Sequence, residues 1–207
     1  NRITGGEDTA SDAQIRALML MLEEEENLKD RRNIIITLQH VAPKNHPLVV
    51  DTLCALLRNY KREAIATRQV IVRTLGVVAQ RGNEEVVKTL LACVEKDNCF
   101  EVRQPAMALL AQLASPEDER VMALALEHLR KKDLRGQPLF KPLGDPMALT
   151  KEALQVLANV APRGSEEVWS LLLRRVVDDS VIAVRIAAVE ALASIADGDM
   201  LADGGAR

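Results

Sequence analysis

Residues 97–114 read DNCFEVRQPAMALLAQLA, and residues 179–196 read DSVIAVRIAAVEALASIA. Both stretches begin with an aspartate, carry an arginine six residues later, and end on Leu-x-x-(Leu or Ile)-Ala. Variants of this closing pentapeptide, with Val, Leu or Ile at its fourth place, occur five times, and the final alanine recurs at steps of 37, 35, 47 and 35 residues. These alanines are Ala42, Ala79, Ala114, Ala161 and Ala196. A repeat of this length is typical of helical repeat proteins.

Each copy predicts two helices. In the first half, apolar residues recur at steps of three and four, as in Val184, Ala188 and Leu192, which is one face of an α-helix. The second half repeats this pattern from a valine that lies seven residues after each of the first four alanines, at Val49, Val86, Val121 and Val168. Breaker-rich turns separate the halves, and Ser115 and Ser165 are predicted helix N-caps. Because one helix pair cannot bury both apolar stripes, the sequence predicts an all-α fold, an α-solenoid of stacked antiparallel helix pairs.

These units resemble HEAT repeats, in the short form also seen in phycobilin-lyase-type proteins. The residues that carry the resemblance are Asp97-x5-Arg103 followed by Ala106 and Leu110, and Asp179-x5-Arg185 followed by Ala188 and Leu192. The resemblance implies a HEAT-like superhelix, a ladder of paired Asp and Arg along the stack, and a scaffold that binds other macromolecules. Three copies depart from the pattern: the residues six places before Arg31 and Arg68 are Glu25 and Arg62, and Thr150 replaces the arginine.

The repeats divide the chain into three segments. We expect a flexible N-terminal segment over residues 1–12, a solenoid over 13–197, and a flexible tail over 198–207. The solenoid would hold a partial first unit, about four full units, an insertion loop at 134–146 and an unpaired last helix. Since open ends of a solenoid expose an apolar face, we expect either a longer parent chain or end-to-end contacts with another chain.

The composition excludes several classes of protein. The chain has 207 residues, of which 48% are apolar and 2% aromatic, with a formal net charge of −3. This apolar content argues against disorder, and the lack of a basic surplus together with the low aromatic content argues against a nucleic-acid partner. No apolar run is long enough to predict a membrane span. Three cysteines without C-x-x-C spacing predict neither a disulfide framework nor a metal site, so a cytoplasmic location is the default expectation.

Candidate binding residues follow from the resemblance, in which the second helices line the concave inner face. Positions counted from the four valines should point away from the core. The candidates on this face are Asp51, Arg58, Lys88, Glu95, Glu127, Arg130 and Arg174. One interpretation is a mildly basic groove for a peptide or helix with some acidic character. The other is an ordinary solvated face with i, i+4 ion pairs.

The step of 47 residues indicates an insertion that contains Leu139, Phe140 and Leu143. Three prolines and two glycines between residues 133 and 146 argue against a regular helix there. Apolar residues in a surface loop favour either a contact arm for a partner or a flap folded back over the solenoid.

Catalysis finds little support in the sequence. The three histidines, His40, His46 and His128, have no cysteine or serine at a spacing that would indicate a catalytic pair. The glycines form no phosphate-binding loop. We therefore predict no enzyme activity and no cofactor, and a scaffold that binds a partner protein or peptide. Two alternatives stay open: a bilin-lyase-like or chaperone-lyase subunit, implied by the resemblance alone, and a structural subunit of a larger assembly.

Overall fold

A computed structural model describes residues 7–59, 62–131, 146–162 and 164–203, which contain ten α-helices and no β-strand. None of these helices combines the length and the apolar character needed to cross a membrane. In chain order they are α1 (Glu7–Glu24), α2 (Leu28–Val41), α3 (Pro47–Arg58), α4 (Ile65–Val78), α5 (Glu84–Lys96), α6 (Phe100–Leu113), α7 (Glu119–Lys131), α8 (Pro146–Val160), α9 (Glu166–Asp178) and α10 (Ile182–Asp203). The predicted all-α solenoid is confirmed.

The helices form two layers. The predicted first helices, α2, α4, α6, α8 and α10, stack so that each packs against the next. The predicted second helices, α1, α3, α5, α7 and α9, each pack against the first helix that follows in the chain. A short connection between packed neighbours makes four of these pairs antiparallel, namely α1–α2, α3–α4, α5–α6 and α9–α10. Within the described residues α1 packs against α2, and α10 packs on both α8 and α9; the expected partial first unit and unpaired last helix stay predictions.

One hydrophobic core runs through the stack from Ile15 to Ile195. The four repeat valines each occupy the third position of their helix and are at most 1% exposed, so they hold equivalent places. A second column of buried leucines runs through the first helices. Its fully buried members are Leu38, Leu75, Leu110 and Leu157. Burial of one such side chain contributes about 1.5–3 kcal/mol, so the repeated columns account for the stacking.

The turns between first and second helices are joined by a ladder of backbone hydrogen bonds. The residue three places after each of the first four closing alanines has a positive φ: Asn45, Gly82, Glu117 and Gly164. Three of these amides donate to the last helical carbonyl of the next unit. The bonds join Asn45 N to Val78 O at 2.6 Å, Gly82 N to Leu113 O at 2.7 Å, and Glu117 N to Val160 O at 2.7 Å. The positive φ directs the N–H of the turn towards the neighbouring unit. The resulting hydrogen bonds set the spacing between successive units.

The helix N-caps form another column, four residues after the closing alanines. Asn83 caps α5 through its side chain, and Ser165 caps α9 as predicted, accepting from the amide of Val168 at 3.5 Å. The prediction for Ser115 is wrong. The carboxylate of Asp118 accepts from the amides of Arg120 and Val121 instead, because residues 115–118 form a turn before α7 begins.

Buried ion pairs connect units, with partners that differ from those expected. Arg68 donates from Nε and Nη2 to the two carboxylate oxygens of Asp97 at 2.7 and 2.9 Å. Arg31 makes a part-buried pair with Glu63, in which Nη2 donates to Oε1 at 2.8 Å. The acid thus follows its arginine by about 30 residues in sequence (29 for Asp97, 32 for Glu63), so the missing aspartates before Arg31 and Arg68 do not interrupt the ladder.

The last junction departs from this pattern, as the threonine at position 150 implies. Asp179 accepts from Arg175, four residues earlier in the same segment, at 2.9 Å. Arg175 also donates to the carbonyl of Leu129 on α7. Arg175, which belongs to the second-helix layer, therefore pairs with Asp179 at this junction in place of an arginine at position 150.

The outer helices are longer than expected. Helix α1 begins at Glu7, inside the predicted segment 1–12, and α10 continues to Asp203, past the predicted boundary at residue 197. Acidic residues at positions 7, 8 and 12 suit the first turns of a helix. A single glycine at position 198 costs a helix only about 1 kcal/mol, so it does not end α10.

Candidate functional site

The seven predicted binding residues are distributed over α3, α5, α7 and α9, and all seven are exposed. We call them the second-helix face: Asp51, Arg58, Lys88, Glu95, Glu127, Arg130 and Arg174. Their exposure follows from the helical period, since each lies on the side of its helix opposite the buried valine column. The face is therefore a row of charged side chains on a rigid stack.

Three arginines of the second-helix face are held in ion pairs. Arg58 contacts Glu85 at the start of α5, and Arg130 contacts Glu167 at the start of α9. Arg174 lies 3.8 Å from Asp178 one turn later. Glu85 and Glu167 were not among the predicted binding residues, because only the stacking of the helices brings them beside the arginines. Counted with these three acids, the face holds four cations and six anions, so it is less positive than its seven predicted residues alone indicate.

Lys88 keeps its charge available. Within the described residues, neither Lys88 nor its helix neighbour Glu95 takes part in an ion pair, and the same holds for Asp51 on α3. Exposed ion pairs of the kind made by the arginines contribute only about 0–1 kcal/mol each. A carboxylate from a partner could therefore replace Glu85 or Glu167 at little cost.

A further exposed cluster lies between α5 and α7. Arg120 donates to both carboxylate oxygens of Glu84 at 2.9 and 3.0 Å and to Asp118 at 2.8 Å. The hydrogen bond from Arg120 holds the pKa of the Asp118 carboxyl below its usual value. This cluster ties α7 to α5 beside the second-helix face and helps to fix the orientation of that face.

The predicted loop contact at Leu139, Phe140 and Leu143 lies outside the described residues. Of the predicted insertion, 134–146, the structure describes only the backbone of Pro146, where α8 begins. Both interpretations of the loop stay predictions.

A groove that sequence reasoning missed lies on the opposite layer, between α4 and α6. It has a volume of about 700 Å³. Apolar side chains and polar side chains both line it. The lining includes Val72, Val77, Phe100 and Leu109 together with Gln69, Arg73, Glu101, Gln104 and Gln112. Helices α4 and α6 approach closely beside this groove, since a Cβ atom added to Gly76 would lie 3.1 Å from Leu109 Cδ1.

Pro105 gives this groove an unusual backbone. A proline inside a helix has no N–H to offer the carbonyl four residues earlier, which here is that of Glu101. The side-chain amide of Gln69 on α4 donates to this carbonyl at 3.3 Å. The groove therefore contains a main-chain acceptor satisfied from the neighbouring unit. Pro105 within a helical apolar pattern was the sequence signal that could have indicated it.

The comparisons with known proteins bear on the fold. The family model for HEAT repeats matches residues 15–111, which spans α2 to α5, with most of α1 and α6. This part of the chain consists of HEAT repeats. No curated protein and no solved structure matches it. HEAT repeats commonly serve as protein-interaction scaffolds, so a protein partner is the expectation that the family supports.

The thiols of this protein differ in environment. Burial raises the pKa of Cys54 to about 11 and the pKa of Cys93 to about 12. Cys99 is only partly buried, and its Sγ donates to Glu101 Oε2 at 2.8 Å. Its pKa is also raised, first by desolvation and then by this hydrogen bond. All three are therefore neutral at pH 7, which does not favour a nucleophilic role.

Iodoacetamide is expected to modify one thiol per folded chain, at Cys99, because the side chains of Cys54 and Cys93 are at most 7% exposed. Since the pKa of Cys99 lies above its ordinary value, the rate should be low at pH 7 and rise as the pH approaches that pKa. Intact mass and peptide mapping measure both effects, with Cys99→Ser as the control that removes the reaction. Modification of Cys54 at a comparable rate would contradict the burial described above.

Proposed function

We propose that this protein is a non-catalytic scaffold that binds a partner protein or peptide on the second-helix face, taken as the concave side of the solenoid. The observation that carries the proposal is the row of seven exposed charged side chains repeated along four stacked helices. Regular spacing on successive units suits an extended peptide or a helix that follows the stack.

Rigidity supports this proposal. The helices beneath the face are fixed by one continuous core and by backbone bonds between successive turns. A preformed surface binds with little loss of conformational entropy. The partner therefore need not induce the site.

Charge gives the partner its proposed chemistry. Lys88 presents a free ammonium among the described residues, while Arg58 and Arg130 lie in weak, exposed ion pairs. An acidic segment of a partner could bind Lys88 directly. It could also replace Glu85 and Glu167 as the ion-pair partners of the two arginines. We propose that the bound segment has acidic residues spaced to meet successive second helices.

Reversal of three charges tests the face. The variant Lys88→Glu/Arg130→Glu/Arg174→Glu is expected to lose at least about tenfold in partner affinity, equivalent to about 1.4 kcal/mol, because each reversal opposes an acidic partner. Affinity capture with quantitative mass spectrometry would identify partners of the unaltered protein, and titration with a captured partner would measure affinity. A matched control reverses exposed lysines of the first-helix layer, Lys29→Glu/Lys151→Glu.

Two results would contradict the proposal. Equal affinity of the triple variant and the unaltered protein would remove the second-helix face as the site. Equal losses in the triple variant and the control would show a general effect of net charge. A third variant, Arg73→Glu/Gln104→Ala, locates binding in the α4–α6 groove if it alone loses the partner.

A further inference from the structure

Two small residues leave room for the groove between α4 and α6. Ala108 on α6 lies six residues before its closing alanine, and the other four units have longer side chains at this place. These are Ile36, Arg73, Gln155 and Glu190. Gly76 on α4 has no side chain, and the floor is apolar, with Val72 and Leu109 only 1% and 6% exposed. The groove of about 700 Å³ therefore results from the particular residues of this junction.

The polar groups along the groove suit an extended peptide backbone. Pro105 leaves the carbonyl of Glu101 without a helical N–H, and the bond from Gln69 that replaces it is long, at 3.3 Å. Gln112, at the other end of the groove, makes no hydrogen bond to the described residues. A glutamine amide offers an acceptor and two N–H donors, which match the alternating C=O and N–H groups of an extended chain. Because a helix pairs these groups internally, the groove favours an extended occupant.

The two walls of the groove carry opposite charges. Within the described part of the chain, neither Arg73 on α4 nor Glu101 on α6 takes part in an ion pair. A hydrogen bond from the Cys99 thiol holds the pKa of the Glu101 carboxyl below its usual value, so Glu101 is an anion at pH 7. A segment complementary to the groove therefore carries a basic group opposite Glu101 and an acidic group opposite Arg73.

The spacing of these two charges gives the register of the segment. Arg73 and Ala108 hold equivalent places on the first helices of successive units, and Glu101 comes seven residues before Ala108. At a rise of about 1.5 Å per residue, the charges lie about 10 Å apart along the groove, which about three residues of an extended chain span. Successive side chains of such a chain point to opposite sides. An odd separation therefore directs the two charged side chains to opposite walls.

We propose that the α4–α6 groove is a second binding site, for an extended segment of a partner protein that carries a basic and an acidic side chain about three residues apart. The basic side chain pairs with Glu101 and the acidic side chain with Arg73. The residues between them cover the apolar floor beside Gly76, and a backbone N–H of the segment donates to the carbonyl of Glu101. The groove lies on the layer opposite the second-helix face, so the two sites can be occupied together.

Selection from a phage-displayed library of random peptides on the full chain tests the site. Enriched sequences should place a lysine or arginine about three residues from an aspartate or glutamate, with apolar residues between them. Fluorescence anisotropy with a synthetic copy of an enriched peptide then gives the dissociation constant. The triple variant of the second-helix face, Lys88→Glu/Arg130→Glu/Arg174→Glu, should bind this peptide as the unaltered protein does.

A longer side chain at position 108 should close the groove. Ala108→Gln is expected to raise the dissociation constant of the enriched peptide at least about tenfold, because the added side chain fills the space above the apolar floor. This variant should fold, since Gln155 holds the equivalent place on α8, and thermal unfolding checks this. The control Ala55→Gln adds the same side chain at an exposed position of α3 and should leave the dissociation constant unchanged.

A charge swap tests the pairing with Arg73. Arg73→Glu should weaken binding of the enriched peptide at least about tenfold. Replacement of the acidic residue of that peptide by lysine should restore its binding to the Arg73→Glu variant and weaken its binding to the unaltered protein. Such a rescue requires that this residue of the peptide lies beside position 73, and unspecific apolar contact would not produce it.

Three results would overturn the proposal. They are a selection that enriches no peptide with this spacing of charges, equal affinity of Ala108→Gln and the unaltered protein, and a lysine-substituted peptide that Arg73→Glu does not bind. A peptide lost by the triple variant but not by Ala108→Gln would lie on the second-helix face instead. The captured partner is used in none of these measurements, so the proposed function stands or fails separately.

Discussion

Replacement of Asp97 by alanine is expected to lower the free energy of unfolding by about 3–5 kcal/mol, because it removes the carboxylate that pairs with the buried guanidinium of Arg68. The side chains of Arg68 and Asp97 are only 4% and 1% exposed. Asp97 also accepts from the amide of Cys99 at 2.8 Å, so the substitution removes a hydrogen bond at the start of α6 as well. Urea unfolding followed by circular dichroism measures the loss.

An exposed pair provides the matched control for Asp97→Ala. Glu85→Ala breaks the ion pair with Arg58, whose side chain is 43% exposed, and should cost at most about 1 kcal/mol. The double variant Arg68→Met/Asp97→Ala should lose less than the two single variants together, because no unpaired charge remains in the core. A loss below about 1 kcal/mol for Asp97→Ala would show that water reaches the pair.

The second large effect is expected at Leu110, which is fully buried between neighbouring units. Leu110→Ala should cost about 2–5 kcal/mol, since it removes apolar contacts and leaves a cavity. The same substitution at Leu192, the equivalent position on α10, is the control. Leu192 is only partly buried, so Leu192→Ala should cost less than half as much. Chemical unfolding of both variants gives the comparison.

Equal losses at the two leucines would contradict the structural account, because the repeat sequence around them is alike and only the packing differs.

Much of the fold could be predicted from local pattern. The spacing of the closing alanines located the turns, and three of these alanines are the C-caps of their helices, at Ala42, Ala79 and Ala114. The helical period also placed the second-helix face outward, because exposure on a helix follows from residue spacing. The N-cap of α7 was predicted at Ser115 instead of Asp118, since a turn with positive φ at Glu117 precedes the helix.

The candidate site was harder to predict because its electrostatics depend on neighbours distant in sequence. Glu167 lies 37 residues from Arg130, and Glu85 lies 27 residues from Arg58. Nothing in the local pattern around either arginine indicates these partners. The α4–α6 groove was missed for a similar reason, since it exists only where two helices of different units approach.

The helical character of the chain, its repeats and the buried side of each helix follow from the amino-acid pattern, because these properties depend on residues within a few turns of one another. The partners of the buried and exposed arginines and the exposure of Val189 follow from the stacking of the units. Those properties depend on how far successive units are offset and on which residues a neighbouring unit covers. One column of the repeat is therefore core at Met107 and surface at Val189, although both residues are apolar and occupy equivalent positions.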